Sequence, residues 1–349
     1  MNRICIVPLL ALSALILSGC GRKGDDSAKV INLFIWEEYM DPDVLAEFEA
    51  ETGIRVVESN YASNEDLLAK LQVGGGGYDV IVPSDYMIQI MTKAGLLAPL
   101  DRAKLPNLSH LAARFAAPEY DRALAHSVPY LWGTTGIAYN EVDVPNPPTS
   151  WKEFMDPAVI GPHKGRISLL NDARETLAAA LLSLGYPVNT TDPAKIDEAR
   201  DVLMKIKPLV AKFDSESFED SLAAGETVLA QAWSGDTAIA QDENDNVKYL
   251  IPAEGSLMFV DAMAIPAKSR HVEEAHQLID FLTRPEIAAR IAEFTYYATP
   301  NKDALPLISE EIRAMAPFTV PEEATLFYLQ DLGDDNELFN KAWMEIKAD

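Results

Sequence analysis

The stretch VINLFIWEEYMDPDVLAEFEAETG, residues 30–53, contains the pattern on which the predicted fold depends. Its apolar start, Val30–Ile35, is typical of a buried strand. A helix signal follows at Asp41 and Pro42, because Asp caps helix starts and Pro is favoured in the first helical turn. Gly53 is typical of a helix end. The stretch therefore predicts one strand followed by one helix.

The same strand and helix unit recurs twice before Gly95. The further strands are predicted at Ile54–Val57 and Tyr78–Val82, and the further helices at Asn64–Val73 and from Ser84 to Gly95. This alternation predicts an α/β fold, in which a parallel sheet is covered by helices on both faces. In such sheets ligands bind outside the carboxyl ends of the strands.

A second α/β pattern lies in the middle of the chain. Its elements are a strand at Arg166–Leu170, a helix from Asp172, a strand at Thr227–Gln231 that leads into Ala232–Asp236, and a strand at Val247–Ile251. Two long extended runs, Val128–Asn140 and Leu257–Pro266, lie on either side of this pattern. Because a chain of 349 residues usually forms more than one domain, these features predict two lobes joined by extended crossovers, with a cleft between them.

The N-terminal segment has the features of a bacterial lipoprotein signal. A basic start and an apolar run precede Leu17-Ser18-Gly19-Cys20, which resembles the lipobox whose Cys carries the lipid. We therefore expect a signal peptide at residues 1–19 and a tether at residues 20–29. The alternative is an ordinary secretory signal that ends near Gly19.

Composition and motifs exclude several classes of function. A formal net charge of −25 argues against a nucleic-acid partner and is compatible with a cationic ligand. Apart from His271 and His276 on one polar helix face, the five histidines lack the spacing of metal ligands. No nucleophile elbow or phosphate-binding loop is present in the sequence. We interpret Gly74–Gly77 as a turn. The sequence therefore gives no reason to expect a metal, a cofactor or catalysis.

Aromatic residues stand close to carboxylates at several predicted strand ends. The groups are Trp36 with Glu38 and Tyr39, Asp85 with Tyr86, Trp233 with Asp236, and Phe259 with Asp261, while Asp172 and Glu175 lie three apart on one helix face. Because rings attract cations and carboxylates pair with ammonium groups, these residues predict a pocket for a cationic ligand. For any single group, a solvated cap or a core aromatic is an equally good interpretation.

Nearly the whole chain after the tether resembles one known family, the periplasmic polyamine-binding proteins of bacterial ABC importers. The motifs that carry the resemblance occur in the family's order: WEEY, ETGIRV, YASNEDLLAKL, YDVIVPSDY, VPYLWGTTGIAYN, TSWKEF, LLNDARET, AWSGD, DAMAIP, HQLIDFLTRPEIA and YATPN. The resemblance implies the periplasmic-binding-protein type II fold, with two α/β lobes that close over a ligand. It implies a first lobe from residues 30–133 plus 258–303 and a second lobe from residues 134–257 plus 304–349.

The resemblance also implies a function. The protein would capture a polyamine, putrescine or spermidine, and deliver it to the permease and ATPase subunits of an importer, with no cofactor and no enzymatic activity. It would be anchored through Cys20 in the periplasm, or at the cell surface of an organism with a single membrane. The residues that the resemblance assigns to ligand binding are Trp36, Glu38, Tyr39, Ser84, Tyr86, Asp172, Glu175, Trp233, Asp236, Phe259, Asp261, Tyr297 and Gln330.

Alternative functions remain open at this stage. The same fold would suit another cationic solute, such as an amino acid or agmatine, or a ligand sensor. A hydrolase with Asp172 and Glu175, or Asp236 and Asp261, as paired carboxylates is less well supported. The preferred amine is also open, because Phe259 together with Asp236 resembles putrescine-preferring relatives, whereas the DARET motif resembles spermidine-preferring ones.

Overall fold

The computed structural model describes residues 29–74, 77–321 and 323–348. The expected signal peptide, the lipid-carrying Cys20 and the tether up to residue 28 lie outside these ranges, as does the middle of the Gly74–Gly77 turn. Within the described ranges, no helix combines the length and the apolar composition that crossing a membrane requires.

Strands and helices alternate along the first part of the chain and are followed by one long strand. These elements are β1 (Lys29–Trp36), α1 (Pro42–Thr52), β2 (Ile54–Tyr61), α2 (Asn64–Gln72), β3 (Val80–Ile81), α3 (Asp85–Lys93) and β4 (Ser127–Asn140). The middle part contains α4 (Trp151–Phe154), α5 (Pro157–Ile160), β5 (Ile167–Leu169), α6 (Ala173–Ser183), α7 (Pro193–Ile206), β6 (Lys212–Phe213), α8 (Phe218–Ala223), β7 (Leu229–Trp233), α9 (Ser234–Glu243) and β8 (Val247–Leu250). The last part contains β9 (Ser256–Ala264), α10 (Val272–Leu282), α11 (Pro285–Thr295), α12 (Glu310–Arg313), β10 (Leu326–Phe327) and α13 (Asn336–Lys347).

The first strand and helix form where the sequence predicts them. The Asp41 side chain accepts a hydrogen bond from the Asp43 backbone N–H, and Pro42 occupies the first turn of α1. Gly53 ends this helix with a φ of 70°, a left-handed conformation that glycine adopts without strain. Local capping chemistry therefore determines where α1 begins and ends.

One continuous sheet runs through both halves of the fold. Its strand order is β2-β1-β3-β9-β4-β7-β5-β6, with β10 beside β9 and β8 beside β4. The β2-β1-β3 group and the β7-β5-β6 group are each parallel, whereas β9 and β4 are antiparallel to each other and to the groups beside them. The two extended runs of the sequence are thus the crossover strands β4 and β9, and the α/β prediction is confirmed.

Strand β1 of the first parallel group is buried on both faces. Ile31 and Ile35 of β1 pack on one face in a cluster that includes Phe48 and Phe281, whose ring centroids are 5.3 Å apart. Phe34 packs on the opposite face, in a second cluster. A strand with both faces covered by helices needs a nearly continuous apolar run, which is the pattern that β1 has.

The C-terminal part of the chain is divided between the two halves. Helix α13 packs through Phe339 and Ile346 into the cluster that contains residues of α6 and α7. By contrast, Ala304 and Ile308 pack against Ala288 and other small residues of α11. The exact residue boundaries of the two lobes remain a prediction.

The start of β4 depends on one buried carboxylate, Asp121. Its oxygens accept hydrogen bonds of 2.8–2.9 Å from the backbone N–H groups of Ala125, His126 and Ser127 and from the Ser127 hydroxyl. We expect Asp121→Ala to lower the free energy of unfolding by about 2–4 kcal/mol, because buried donors lose a charged acceptor. Denaturant titration measures this change. Glu119→Ala is the control, since that exposed side chain forms only a weak surface ion pair, and an equal effect of both substitutions would contradict the prediction.

Candidate functional site

A cavity of about 590 Å³ lies between the two halves of the sheet. This volume is within the range of small-molecule binding sites. All but one of the residues assigned by the resemblance line it: Trp36, Glu38, Tyr39, Ser84, Tyr86, Asp172, Glu175, Trp233, Asp236, Phe259, Asp261 and Tyr297. The structure therefore brings together residues that are more than 200 positions apart in the sequence, such as Tyr39 and Asp261.

Gln330 is the exception. Its side chain is exposed, and its neighbour Leu329 lines the cavity instead. The Gln330 backbone N–H donates to Asn189 Oδ1, and its carbonyl oxygen accepts a hydrogen bond from Arg174. Gln330 thus contributes its main chain to the support of the cavity, while its side chain lies outside the wall.

The charge of the cavity lining has one sign. Its acidic members are Glu37, Glu38, Asp85, Asp172, Glu175, Glu216, Glu219, Asp220, Asp236 and Asp261. Among the described residues that form the lining, there is no Lys, Arg or His. In the same described ranges, no three His, Cys, Asp or Glu side chains are grouped in a way that would hold a metal ion. The lining thus lacks a counter-charge of its own.

Asp261 lies on the crossover strand β9 and is held by two hydroxyl groups. Ser84 Oγ donates to its Oδ1 at 2.7 Å, and Tyr39 Oη donates to its Oδ2 at 2.8 Å. Burial raises the pKa of Asp261 to about 6, although these two hydrogen bonds oppose the shift. Ser84 precedes α3 as the sequence predicts, but its side chain forms no capping hydrogen bond and points to Asp261 instead.

Asp236, in the first turn of α9, is held by Tyr297. The Tyr297 hydroxyl donates to Asp236 Oδ2 at 2.9 Å. Burial raises the pKa of Asp236 to about 7, and the charge of Glu38 adds to the rise. The ring of Tyr297 lies directly against Gly235, where a Cβ atom would approach a ring carbon to within 2.3 Å. Only glycine fits at this position of the WSGD motif without displacing the ring.

Asp172 and Glu175 were expected on one helix face, but only Glu175 lies within the helix α6. Asp172 precedes α6 as its N-cap, and its Oδ1 accepts from the Glu175 backbone N–H at 2.9 Å. Burial raises the pKa of Asp172. Burial and the charge of Asp172 raise the pKa of Glu175 to about 8. The two carboxyls therefore lie side by side at one helix start.

Aromatic rings form the remaining walls in edge-to-face contacts. The centroid distances are 5.2 Å for Tyr39 and Tyr297, 6.1 Å for Phe259 and Tyr297, and 6.4 Å for Trp233 and Phe259. Trp36 is fixed by a hydrogen bond from Nε1 to the Val82 carbonyl oxygen. These rings present apolar surface between the carboxylates.

Several lining residues are absent from the set that the sequence predicted. They are Asn60, Tyr61, Asn64, Ser215, Glu216, Ser217, Glu219 and Asp220. Asp85, which the sequence pairs with Tyr86 but the resemblance does not assign, also lines the cavity. Asn60 and Tyr61 end strand β2, so the strand-end rule could have identified them. Asn64 begins α2, yet its amide contacts Ser84 with both polar atoms, a tertiary contact that no local pattern indicates. Glu38 lies at the mouth, exposed and with a φ of 53°.

Comparison with known proteins places the chain among bacterial transport proteins. Residues 43–318 match the model of the family described as bacterial extracellular solute-binding protein. The chain is 36% identical over 345 residues to the spermidine/putrescine-binding periplasmic protein of Escherichia coli, with 97% of each chain covered. It is also 36% identical over 360 residues to the putrescine-binding periplasmic protein SpuD of Pseudomonas aeruginosa, with 97% of each covered.

A solved structure supports the same placement. The TpPotD lipoprotein of Treponema pallidum is similar to this structure with a TM-score of 0.81 and 30% sequence identity, covering 91% of this chain and 99% of that one. The fold expected from the resemblance, two α/β lobes of the periplasmic-binding-protein type joined by crossover strands, is therefore confirmed.

The raised pKa values predict how the stability of the ligand-free protein varies with pH. The ordinary pKa of an aspartate is 3.8, and in the native state the pKa of Asp261 is raised to about 6 and that of Asp236 to about 7. Between the ordinary and the raised pKa values, the native state therefore binds more protons than the unfolded state. Their contribution to the free energy of unfolding therefore decreases as pH rises from about 4 to about 7. Across this pH range, the melting temperature of Asp236→Asn should decrease less steeply than that of the wild-type protein. An equal slope of melting temperature against pH for the two proteins would contradict the raised pKa of Asp236.

Proposed function

The chain belongs to the family of bacterial extracellular solute-binding proteins, and from this we propose that its cavity captures a polyamine, putrescine or spermidine, for an ABC importer. Of the relatives named above, the E. coli protein is named for binding spermidine and putrescine, and the P. aeruginosa protein for binding putrescine. The cavity of this chain has the chemistry that such ligands require.

One observation carries the proposal: a cavity lined by many carboxylates and several aromatic rings has no Lys, Arg or His among the described residues of its lining. A polyamine supplies the missing positive charges, because each ammonium group is a donor that pairs with a carboxylate. Its methylene groups contribute about 0.8 kcal/mol each when they are buried against apolar surface. An anionic ligand would be repelled, and a neutral sugar would leave the buried carboxylates without a counter-charge.

We assign roles to the lining residues on this basis. Asp261, Asp236 and Glu175 pair with ammonium groups, because they are acidic groups of the lining that come from three different elements. Phe259 and Trp233 pack against the methylene groups between them. Tyr39, Ser84 and Tyr297 orient the carboxylates by donating hydrogen bonds, as the distances above show. Trp36, Tyr86, Glu38 and Asp172 complete the wall.

The proposal includes transport partners and excludes catalysis. The protein delivers its ligand to a permease and an ATPase, the subunits implied by an ABC importer. A carboxylate hydrolase is less well supported, since Asp172 caps the helix that carries Glu175 and the two do not face each other across a substrate. Another cationic solute, such as agmatine, is the second candidate, because its charge also suits the lining.

A thermal-shift series tests the ligand class. At a hundredfold excess over its dissociation constant, a ligand adds about 2.7 kcal/mol to the free energy of unfolding, which raises the melting temperature by several degrees. Putrescine, cadaverine, spermidine, spermine and agmatine are compared with glucose and phosphate as controls. We expect a shift with at least one polyamine and none with the controls. A response to agmatine alone would select the second candidate.

We expect Asp261→Asn to weaken binding of the best polyamine by about 2–5 kcal/mol, because the ligand ammonium loses its buried charged partner. Calorimetric titration measures this change. Asp79→Asn is the matched control: Asp79 is also buried and also accepts two hydrogen bonds, from the Asn32 N–H and the Ser269 hydroxyl, but it does not line the cavity. Equal affinities of the wild-type and Asp261→Asn proteins would remove Asp261 from the site.

We also propose that the protein is a periplasmic lipoprotein anchored through Cys20. The lipobox in the sequence supports this proposal, and the T. pallidum relative is named a lipoprotein. Cys20→Ser should abolish lipid attachment and move the protein out of the membrane fraction, since stable anchoring requires more than one acyl chain. Fractionation with a lipid label measures both effects. Unchanged membrane association of a fully processed variant would argue against the anchor.

A further inference from the structure

Asn64, a residue that the resemblance did not assign, is connected to the cavity carboxyl of Asp261 through Ser84. Asn64 and Ser84 both line the cavity and are 5% and 8% exposed. The Ser84 backbone N–H donates to Asn64 Oδ1 at 3.1 Å, and Asn64 Nδ2 donates to Ser84 Oγ at 3.0 Å. The Ser84 hydroxyl in turn donates to Asp261 Oδ1 at 2.7 Å. Hydrogen bonds thus join three buried side chains that come from the start of α2, the start of α3 and strand β9.

The start of α2 does not need the Asn64 side chain. This helix is capped by Ser63, whose side chain accepts from a backbone N–H of the first turn. In α3 the Ser84 side chain makes no capping hydrogen bond, and Met87 stands at the third helical position, where a Glu or Gln would accept from the N-cap N–H. Asn64 supplies this acceptor from another helix. Its amide therefore serves Ser84 and not its own helix.

The hydrogen bonds around Asn64 have only one possible direction. A backbone N–H only donates, so the amide atom next to the Ser84 N–H is the oxygen, Oδ1. The other amide atom, Nδ2, also only donates, and it faces the Ser84 hydroxyl oxygen. The single hydroxyl proton of Ser84 is therefore directed to Asp261 Oδ1. This arrangement makes that oxygen of Asp261 an acceptor.

We propose that Asn64 is a positioning residue of the binding site, which fixes the Ser84 hydroxyl as a donor to Asp261 and so keeps Asp261 an acceptor for a ligand ammonium. This inference rests on the proposed function, to which the pairing of Asp261 with an ammonium belongs. An ionised carboxyl group accepts about four hydrogen bonds, and Ser84 and Tyr39 occupy two of these positions, so the others remain for the ligand.

The backbone brings Ser84 next to Asp261 but does not orient its hydroxyl. The two residues form an antiparallel bridge, and the Ala262 N–H donates to the Pro83 carbonyl oxygen at 2.9 Å. Within this framework the hydroxyl proton is free to rotate once the Asn64 amide is removed. Burial raises the pKa of Asp261 to about 6, and the hydrogen bond from Ser84 opposes the rise. A weaker hydrogen bond therefore raises this pKa further.

Several titratable groups of other elements interact with Asp261. Asp85 is one of them: burial raises its pKa to about 8, and the charge of Asp261 adds to the rise. Burial is the main cause, and the charge of Asp261 a further one, of the raised pKa of five tyrosine hydroxyls, those of Tyr39, Tyr61, Tyr120, Tyr130 and Tyr297. All these groups are the same in the wild-type protein and in an Asn64 variant. The ratio of the two affinities at each pH therefore isolates the change at Asp261.

Calorimetric titration of Asn64→Ala tests the inference, using whichever of putrescine and spermidine binds the wild-type protein more tightly. At about pH 7.5 we expect binding to be about three- to tenfold weaker than in the wild type, the effect of one hydrogen bond. At about pH 6 the loss should be larger, because the higher pKa leaves more of Asp261 protonated. Affinity within about twofold of wild type at both pH values, or an equal loss at both, would overturn the inference while the proposed function stands.

A second background shows whether Asn64 acts through Ser84. Ser84→Ala removes the hydroxyl that the Asn64 amide orients, so the addition of Asn64→Ala should weaken binding no further. If the effects of the two substitutions multiply fully, Asn64 acts independently of the hydroxyl and the inference is wrong.

Asn301→Ala is the matched control for a loss of structure. Asn301 is buried and also uses both polar atoms of its amide: Nδ2 donates to the Thr283 carbonyl oxygen, and Oδ1 accepts from the N–H groups of Asp303 and Ala304. It lies outside the set of described residues that line the cavity. This variant should have a lower melting temperature and unchanged affinity at both pH values. Weaker binding by Asn301→Ala would show that lost stability alone reduces affinity, and the inference would fall.

Should Asn64→Ala fail to fold, Asn64→Asp replaces it. An aspartate is favourable at a helix start, and one of its oxygens still accepts from the Ser84 N–H. The second oxygen is an acceptor in place of a donor, so the Ser84 hydroxyl turns to it and away from Asp261. Because the added negative charge attracts a cation, weaker binding supports the inference, whereas equal or tighter binding contradicts it. Absence of binding by the wild-type protein to both amines would overturn the proposed function and this inference with it.

Discussion

Uncompensated negative charge in a partly desolvated cleft is the constraint on which the rest of the structure depends. Asp85, Glu175 and Asp261 are buried in the cavity wall, and no positively charged side chain is among the described residues that line it. Burying a carboxylate without a partner costs free energy, and the group responds by a raised pKa or by taking up a cation. The fold tolerates this arrangement because large apolar clusters stabilise the rest of the chain: one lies within the first half, and another extends from β1 and α3 to α6, α7 and α13 of the second half.

The pairing of β4 with β9 makes that arrangement possible. Both strands belong to one continuous sheet, so they fix the two lobes relative to each other while leaving a cleft beside them. Asp261 lies opposite Leu131 in this antiparallel pair and also forms a bridge with Ser84, which places it at the meeting point of the two parallel groups. The Asp261 carboxyl therefore lines the cavity from a crossover strand, whereas Asp236 and Glu175 line it from helix starts.

The sequence determined the elements better than the orientation of individual side chains. Helix starts such as Asp41 depend on neighbours a few residues away, so local patterns identify them. The strand ends identified many of the acidic and aromatic residues of the cavity wall. Ser84 was expected to cap α3, but its hydroxyl donates a hydrogen bond to Asp261, which is distant in sequence. Gln330 follows the two-residue strand β10, where no periodicity indicates which side chain faces inward. Asp85 was visible as an acid beside Tyr86, but its buried free oxygen is a property of tertiary packing alone.

The supports of the cavity carboxylates are neutral, and this has a consequence for recognition. Tyr39, Ser84 and Tyr297 donate hydrogen bonds that fix the carboxyl groups, and they bring no positive charge with them. A Lys or Arg in the same positions would orient the carboxylates equally well and would cancel the charge that attracts the ligand. The hydroxyl groups therefore orient the carboxyl groups without neutralising them. A cationic ligand supplies the positive charge that neutralises them. Because such a ligand binds only the folded protein, its binding also raises the free energy of unfolding.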